Sequence, residues 1–214
     1  MWIPQGVMHE GAEATVTAGS WLGKPAVLKT RRARGYRHPD LDRRLTRQRL
    51  TSEARILGRL HDLGFPAPSL FDLDQEEAWI LMSRIEGRPL YESLKDGSSD
   101  IGILERLGHI IRGLHEAGFS HGDLTTHNVI VSEDGQLHLI DFGLARQSPE
   151  LEHLGLDLQV LNECLTASHS VLEGAVDAVM RGYLDGDSAP PETESASRVI
   201  ERFQKITGRV RYHG

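Results

Sequence analysis

Cysteine is almost absent from this sequence of 214 residues, since Cys164 is the single one. One thiol excludes an internal disulfide and a thiolate metal cluster, and a chain without disulfides fits a reducing compartment. A lone cysteine typically packs as a small apolar side chain, so we expect Cys164 to be buried.

Long apolar runs are missing as well. No stretch approaches the roughly 20 apolar residues that a membrane helix needs, and the start Met-Trp-Ile-Pro-Gln has neither the basic residues nor the apolar run of a signal peptide. The net charge of −7 argues against a protein that coats a polyanion such as DNA. These features predict a cytoplasmic protein with no membrane or DNA partner, and the absence of a nuclear signal or N-terminal extension favours an archaeal source.

What the sequence does contain is enough apolar residues for a core, 39% of the chain, arranged in two contrasting halves. The first half mixes short apolar runs with Gly and Pro, which is typical of β-structure, and leucines at helical spacing interrupt it once. The predicted elements are strands at Glu13–Ala18 and Pro25–Thr30 with Gly19 and Gly23 in the turn between them, a helix at Leu41–Leu63, and strands at Ser69–Leu73 and Ala78–Ile85.

The second half is mainly helical and contains one hairpin. Two short apolar runs, Val129–Val131 and Leu137–Ile140, flank an Asp-Gly turn, which is a strong hairpin signal. We therefore predict an α+β fold with a small β-rich lobe at residues 1–86 and a helical lobe at residues 87–214. The predicted helices are Leu90–Leu94, Asp100–Ala117, Leu154–Leu184 and Glu192–Ile206.

The segment with the most chemical information reads His-Gly-Asp-Leu-Thr-Thr-His-Asn from His121 to Asn128, and Asp141-Phe-Gly follows the hairpin. Asp123 and Asn128 are close enough for the two ends of one tight loop, and the hairpin folds Asp141 back against it. Phosphoryl transfer needs a carboxylate near the attacking oxygen and hard oxygen ligands that hold Mg²⁺ on the phosphates. Asp, Asn and Gly also favour turns, but the joint spacing predicts Asp123 as catalytic aspartate and Asn128 and Asp141 as metal ligands.

Lys29 ends the apolar run Ala26-Val27-Leu28, where an ammonium group is costly unless it meets an anion. Phosphate oxygens and a helix carboxylate would supply one, and Glu53 is the best candidate because it lies mid-helix among apolar neighbours. Taken alone, the two residues would be an edge-strand lysine and a solvated glutamate. Together with the segment His121–Asn128 they predict the phosphate-binding pair of a kinase.

Two usual parts of a protein kinase are reduced. Gly11-Ala12-Glu13-Ala14 replaces the three spaced glycines that normally cover the phosphates, so the grip on them should be weaker. The segment after Asp141 is too short for an activation loop, and we interpret Ser148-Pro149-Glu150 as a helix start with proline in the first turn. Gly122 stands where an arginine normally contacts a phosphorylated activation loop. We expect no control by phosphorylation of such a loop.

Four segments stand in a fixed order: Gly11–Ala14, a basic run from Lys29 to Asp42 that contains Gly-Tyr-Arg-His-Pro, His121–Asn128 and Asp141–Leu144. This order resembles the small atypical kinase and ATPase subunit of the KEOPS complex, which makes threonylcarbamoyladenosine on tRNA. The resemblance covers almost the whole chain. It implies a bilobal protein-kinase-like fold with a reduced helical C-lobe, ATP and Mg²⁺ as cofactors, and a KEOPS transferase subunit, a small regulatory subunit and tRNA as partners.

The resemblance also implies a role for individual positions. Lys29 would bind phosphate with Glu53 as its partner, Asp123 would be the catalytic aspartate, and Asn128 and Asp141 would hold Mg²⁺. A helix aspartate, Asp157, would brace the catalytic loop, although an ordinary carboxylate near a helix N-terminus is an equal alternative. The remaining ATP contacts would be Gly11 at the phosphates, Val16, Val27 and Ile130 on the faces of the adenine, Met82 at the mouth of its pocket, and backbone groups of Ser83 and Ile85 at its edge.

Residues 29–49 form a basic stripe with a net charge of +7, in a chain whose total is −7. Such a patch attracts phosphate backbones even when the rest of the protein is acidic. The alternative is a solvated helix face whose arginines pair with acids. The resemblance implies that the stripe meets tRNA or the acidic surface of a partner subunit. The candidate contacts are Arg31, Arg32, Arg34 and Arg37, with Arg209 and Arg211 at the C-terminus.

Two other functions remain open from the sequence. A small-molecule kinase of the aminoglycoside or choline type shares the motif at His121–Asn128, but about 70 residues after Asp141 are too few for its substrate domain. The second is a mainly structural nucleotide-binding subunit, which the complete set of catalytic residues does not exclude. We predict an ATP-dependent atypical serine/threonine kinase or ATPase.

Overall fold

The computed structural model describes residues 1–11, 14–32, 38–188 and 191–211, without the side chains of residues 39 and 209–211. The chain divides into two compact units, Met1–Ile85 and Glu86–Gly214. Among the described residues, none of the helices is both long enough and apolar enough to cross a membrane.

In its described residues, the first unit consists of a five-stranded antiparallel sheet in the order β1-β2-β3-β5-β4 and one long helix. Its hydrophobic core includes Ala26, Leu50, Leu57, Leu60 and Ile80, each at most 1% exposed. The elements are β1 (Trp2–Glu10), β2 (Ala14–Trp21), β3 (Lys24–Arg31), α1 (Pro39–Asp62), β4 (Leu70–Asp74) and β5 (Trp79–Ser83).

Glycine has two different roles in the β2–β3 hairpin. Leu22 and Gly23 both have positive φ, 50° and 80°, and join the paired residues Trp21 and Lys24 by a two-residue turn that suits twisted strands. Gly19 was predicted in this turn, but it lies inside β2. A Cβ there would come within 2.4 Å of the Ile3 carbonyl oxygen in β1, so the close approach of the strands requires glycine.

The first strand, β1, was not predicted as a separate element. It is an edge strand in which every residue after Trp2 is exposed, and its register with β2 shifts between Pro4 and Gly6 and between Val7 and His9. Because neither face of β1 is buried and its bulges interrupt the alternation of side chains, β1 has no period-two hydrophobic pattern in the sequence.

The second unit contains five helices and two small sheets, β6-β8-β9 and β7-β10, in the described part of the chain. The hairpin predicted around Asp134-Gly135 is present as β8 and β9, with Val129 opposite Leu139. The elements are β6 (Arg88–Pro89), α2 (Leu90–Lys95), α3 (Gly102–Glu116), β7 (Phe119–Ser120), β8 (Val129–Val131), β9 (Leu137–Leu139), β10 (Arg146–Gln147), α4 (Leu151–Ser168), α5 (Ala175–Asp185) and α6 (Ala196–Arg211).

Two helix predictions in this unit were wrong in detail. The stretch Leu154–Leu184 is two helices, because α4 ends at Ser168 and α5 begins after Gly174, whose φ is 77°. The proline before α4 is not in its first turn, since Glu150 is the N-cap and Pro149 precedes it. Glu150 and His153 close the helix start by reciprocal hydrogen bonds between side chain and backbone.

Helices α3 and α5 pack with almost no space between their backbones. A Cβ on Gly182 would lie 1.8 Å from the Glu105 carbonyl oxygen, and one on Gly108 would lie 2.2 Å from the Val179 carbonyl oxygen. Only glycine allows this approach. The contact fixes α5 against α3, which places Tyr183 of α5 beside His115 of α3.

Candidate active site

The predicted catalytic loop is closed by Asn128. Its side-chain amide donates to the Asp123 carbonyl oxygen at 2.8 Å and to Asp123 Oδ2 at 3.1 Å. The Asn128 carbonyl oxygen accepts from the Ile140 N–H at 3.0 Å, one residue before Asp141. The structure therefore brings Asp123, Asn128 and the end of the hairpin that carries Asp141 into one part of the second unit.

His121 ties the start of this loop to the same hairpin. Its Nδ1 accepts from the Asp123 N–H at 3.3 Å and its Nε2 contacts the Ile140 carbonyl oxygen at 3.0 Å. A backbone N–H only donates and a carbonyl only accepts, so the ring is neutral with its proton on Nε2. Burial lowers the pKa of His121 despite the opposing charge of Asp157, which agrees with the neutral form.

Asp157 of α4 binds the backbone of the catalytic loop. Its carboxylate accepts from the N–H groups of His121 at 2.6 Å and Gly122 at 2.8 Å, and from His115 Nε2 at 3.2 Å. Burial would raise the pKa of Asp157, but these hydrogen bonds outweigh it and the pKa lies below the usual value. Asp157 is thus an ionised, 1% exposed brace of the loop that carries Asp123.

Backbone geometry sets the position of Asp141. This residue is exposed and has a φ of 64°, a conformation that non-glycine residues seldom adopt and that is typical of functional sites. The next side chain, Phe142, is 1% exposed and packs against the His121 ring at 5.0 Å between centroids. The exposed carboxylate of Asp141 is therefore followed directly by the buried side chain of Phe142, which fixes the backbone beside it.

The structure gives a reason why position 122 is a glycine, in addition to the absence of an arginine there. Its φ is 81°, and a Cβ would lie 2.3 Å from the Leu144 carbonyl oxygen. The backbone after Asp141 thus lies directly against the loop. Arg146 and Gln147 form β10, which pairs with β7, and α4 begins at Leu151. The segment between Asp141 and α4 is therefore too short for an activation loop.

In the first unit, Lys29 and Glu53 meet as predicted from the residues. Lys29 Nζ lies 2.9 Å from Glu53 Oε1, and the two residues are 7% and 1% exposed. Arg31 Nη2 contacts the other carboxylate oxygen at 2.8 Å. The prediction that Arg31 is a surface contact for RNA is therefore corrected, because its side chain is 7% exposed and turned to Glu53.

Strand register places most of the predicted adenine contacts of this unit on one face of the sheet. Val16 is opposite Lys29, and Val27 is opposite both Ala18 and Met82, and directly paired residues share a face. The Ser83 N–H donates to the Ser69 carbonyl oxygen at 2.8 Å, so it is occupied within the sheet. At Ser83 the carbonyl oxygen is therefore the group suited to a ligand.

The remaining predicted positions are spread over both units. Gly11 lies in the turn between β1 and β2, where its N–H donates to the Ala14 carbonyl oxygen at 2.9 Å. Ile85 ends the first unit, and Ile130 is a buried residue of β8 in the second. Cys164 was expected to be buried, but it is only half-buried, and its Sγ lies 3.3 Å from Thr126 Oγ1.

The basic stripe is more neutralised than its sequence suggests. Arg32 pairs with Glu10 and donates to Thr15 at 3.0 Å, Arg43 pairs with Asp40, and Arg47 pairs with Glu76. These side chains remain 44–69% exposed, so they present charge to solvent. Four candidate contacts lie outside the described part of the chain: Arg34 and Arg37, and the side chains of Arg209 and Arg211.

The oxygen donors of the second unit fit Mg²⁺ bound together with a nucleotide. Among the described residues there is no group of three or more His, Cys, Asp or Glu side chains that could hold a metal. Asn128 uses its amide nitrogen for Asp123, which leaves the amide oxygen for a ligand, and the Asp141 carboxylate is exposed. Mg²⁺ commonly takes only one or two protein oxygens and completes its shell with phosphate and water.

Sequence comparison identifies the family. The RIO domain model matches residues 25–166, about two thirds of the chain. The EKC/KEOPS complex subunit Tp53rkb of Mus musculus is 36% identical, with 96% of this chain and 86% of that protein covered. The EKC/KEOPS complex subunit BUD32 of Coccidioides immitis is 34% identical, with 97% and 91% covered.

An archaeal relative is longer than this chain. The "Probable bifunctional tRNA threonylcarbamoyladenosine biosynthesis protein" of Methanothermobacter thermautotrophicus is 36% identical over 96% of this chain, which spans 37% of that protein's length. Among solved structures, the Rio2 kinase–ADP/Mg²⁺–phosphoaspartate complex from Chaetomium thermophilum shares the fold, with a TM-score of 0.57 and 16% identity, over 99% of this chain and 73% of the other.

The fold and the arrangement of the loop thus define a protein-kinase-like protein of the RIO type. The chain belongs to the RIO-domain family of atypical kinases, among the relatives of the KEOPS subunits BUD32 and Tp53rkb. The predicted family, the predicted kinase-like α+β fold and the predicted enzyme class are confirmed.

Proposed function

We propose that this chain binds ATP with Mg²⁺ and hydrolyses or transfers the γ-phosphoryl group in support of tRNA threonylcarbamoyladenosine synthesis. The observation that carries the proposal is the double hydrogen bond of the Asn128 amide to Asp123. It fixes the carboxylate that would orient the attacking oxygen. Because both bonds use the amide nitrogen, the amide oxygen of the same side chain would be the atom that binds the metal.

Each residue of the second unit has a distinct task in this proposal. Asp123 accepts or orients the proton of the attacking oxygen, and His121 and Asp157 keep its backbone in place. Asn128 and Asp141 hold Mg²⁺, which when bound neutralises charge on the phosphates. The neutral His121 ring does not repel Mg²⁺.

The first unit would hold the nucleotide. Lys29, fixed by Glu53, binds phosphate oxygens, and Gly11 lies at the turn next to them. Val16, Val27 and Met82 share a sheet face that suits the adenine ring. The carbonyl oxygen of Ser83 and the N–H of Ile85 complete the adenine edge.

The short segment after Asp141 favours an ATPase or a kinase with a narrow range of acceptors. Protein kinases use the activation loop to bind a protein substrate, and here β10 and the start of α4 occupy that part of the chain. Water, or a group presented by one partner, is the acceptor that this arrangement suits. Turnover would be slow in the isolated chain and stimulated by a partner.

The relatives' names indicate which partners to test. BUD32 and Tp53rkb are named as subunits of the EKC/KEOPS complex, and the archaeal relative is named for tRNA threonylcarbamoyladenosine biosynthesis. We propose a KEOPS transferase subunit and a small regulatory subunit as protein partners. Exposed arginines of the basic stripe, such as Arg32, Arg43 and Arg47, would contact tRNA or an acidic partner surface.

The test is ATP hydrolysis by the purified chain, with and without a transferase subunit and tRNA. Asp123→Ala and Asp141→Ala should each lower turnover about a hundredfold or more. Glu133→Gln, an exposed acid in the turn of the same hairpin, is the matched control and should keep wild-type turnover. Unchanged turnover in both aspartate variants would refute the proposal.

Two results would instead support the rival functions. Phosphorylation of a small hydroxyl compound at a rate above ATP hydrolysis would indicate a small-molecule kinase. Nucleotide binding without turnover, together with complex assembly that survives Asp123→Ala, would indicate a mainly structural subunit.

A further inference from the structure

A buried chain of polar side chains leads from the catalytic loop into the helices of the second unit. Asp157, which binds the His121 and Gly122 N–H groups, also contacts His115 Nε2 at 3.2 Å. His115 Nδ1 lies 2.7 Å from the Tyr183 hydroxyl. His115 and Tyr183 are 2% and 0% exposed, so the chain has no contact with bulk water at these residues.

In this buried series of side chains, each hydrogen-bond donor points toward Asp157. Burial raises the pKa of Tyr183, so its hydroxyl keeps its proton and can donate to His115 Nδ1. The ionised Asp157 can only accept, so His115 presents the N–H of Nε2 to it. Each hydrogen bond in such a series strengthens the next in a medium of low dielectric constant.

Arg112 lies beside Tyr183, at the end of this buried series opposite Asp157. Its side chain is fully buried, with hydrogen bonds to Asp187 at 2.6 Å, to the Glu194 carbonyl oxygen at 2.8 Å and to Glu116 at 2.9 Å. The guanidinium lies 5.7 Å from the centroid of the Tyr183 ring. Tyr183 is therefore held on one side by a fixed cation and on the other by His115.

Fold stability alone does not explain this arrangement. Buried polar or ionic groups can often be replaced by apolar ones of similar volume without loss of stability, because desolvation is costly. What apolar residues cannot do is fix the direction of a carboxylate. Here the other two contacts of the carboxylate are the N–H groups of the two residues directly before Asp123.

We propose that His115 and Tyr183 are positioning residues, which orient Asp157 so that the loop holds Asp123 in its reactive geometry. The catalytic part of this inference rests on the function proposed above. The structural part, the hold on the loop backbone, does not. Misplacement of a reacting group by about 1 Å can cost a hundredfold in rate.

The experiment compares kcat and KM for ATP in Tyr183→Phe, His115→Gln and His115→Leu of the full chain. Tyr183→Phe removes only the hydroxyl, and His115→Gln keeps an N–H that can reach Asp157. We expect kcat to fall about tenfold or less in these two variants and further in His115→Leu, with KM for ATP within about twofold of wild type. The control Thr207→Val deletes a hydroxyl that donates to Gln159 at 2.6 Å, away from the loop, and should leave kcat unchanged.

A second readout does not need activity. Hydrogen exchange of the His121 and Gly122 amides should speed up about tenfold in Tyr183→Phe and more in His115→Leu, but not in Thr207→Val. If kcat per folded molecule and amide exchange both match the control, the positioning role is overturned and the buried series Tyr183–His115–Asp157 has only a structural role. If the wild type does not hydrolyse ATP but exchange changes as expected, the proposed function fails and the hold on the loop stands.

Discussion

Replacing Asp157 with asparagine alters the buried contact beneath the catalytic loop with almost no change of shape. The carboxylate accepts three hydrogen bonds, from His121 N–H, Gly122 N–H and His115 Nε2. An amide has one oxygen, and its NH₂ group would face a donor, so at least one bond is lost and the others lose their ionic character. Hydrogen bonds to charged groups contribute about 1.5–3 kcal/mol each. Relief of the buried charge offsets part of the loss, and we expect a net destabilisation of about 3 kcal/mol.

The assay must report on the second unit. All three tryptophans, Trp2, Trp21 and Trp79, lie in the first unit, so their fluorescence does not follow Asp157. Of the six helices in the described part of the chain, five lie in the second unit, which makes far-UV circular dichroism during urea unfolding the suitable signal. Asp185→Asn is the control, an exposed aspartate whose replacement should change stability by less than about 0.5 kcal/mol.

The effect should depend on pH in one direction. The folded-state pKa of Asp157 lies below its value in the unfolded chain, so ionisation stabilises the fold above the unfolded pKa of about 3.9. This stability is lost as the pH falls through the folded pKa. The difference between wild type and Asp157→Asn should therefore be largest near pH 7 and shrink below about pH 4. A difference under about 1 kcal/mol at pH 7, or one that stays constant to pH 3, would refute the reasoning.

Two further predictions concern packing and the nucleotide site. Gly182→Ala should destabilise the second unit by about 3 kcal/mol, because its Cβ would lie 1.8 Å from the Glu105 carbonyl oxygen, whereas Gly58→Ala in α1 meets nothing within 4 Å and should stabilise by about 1 kcal/mol. Thermal unfolding of both variants checks this, and equal effects would contradict it. Glu53→Gln should weaken ATP binding about tenfold, because it removes the buried charge that fixes Lys29. Titration with a fluorescent nucleotide measures this, with the exposed Glu76→Gln as control, and an unchanged Kd would show that the pair does not orient Lys29.

Local spacing of residues was sufficient to predict several parts of this protein. The five-residue separation of Asp123 and Asn128 and the hairpin signal at Asp134-Gly135 were enough to predict the loop and its neighbour Asp141, because both are closed by short-range hydrogen bonds. Leucine periodicity predicted α1 to within two residues at each end. The fold class and the family followed from the order of these motifs.

The contacts between residues far apart in the chain could not be predicted from local patterns and are seen only in the folded protein. His115 and Asp157 are 42 residues apart and Tyr183 is 68 residues from His115, so no local pattern relates them. Arg31 looked like part of a surface stripe, and its burial against Glu53 depends on where α1 packs. Gly19 and Gly182 resemble turn or helix-breaking residues in sequence, and their need for glycine arises from a backbone on a neighbouring element. Local propensity sets which elements form, whereas close packing of distant segments sets which side chain each buried polar group meets.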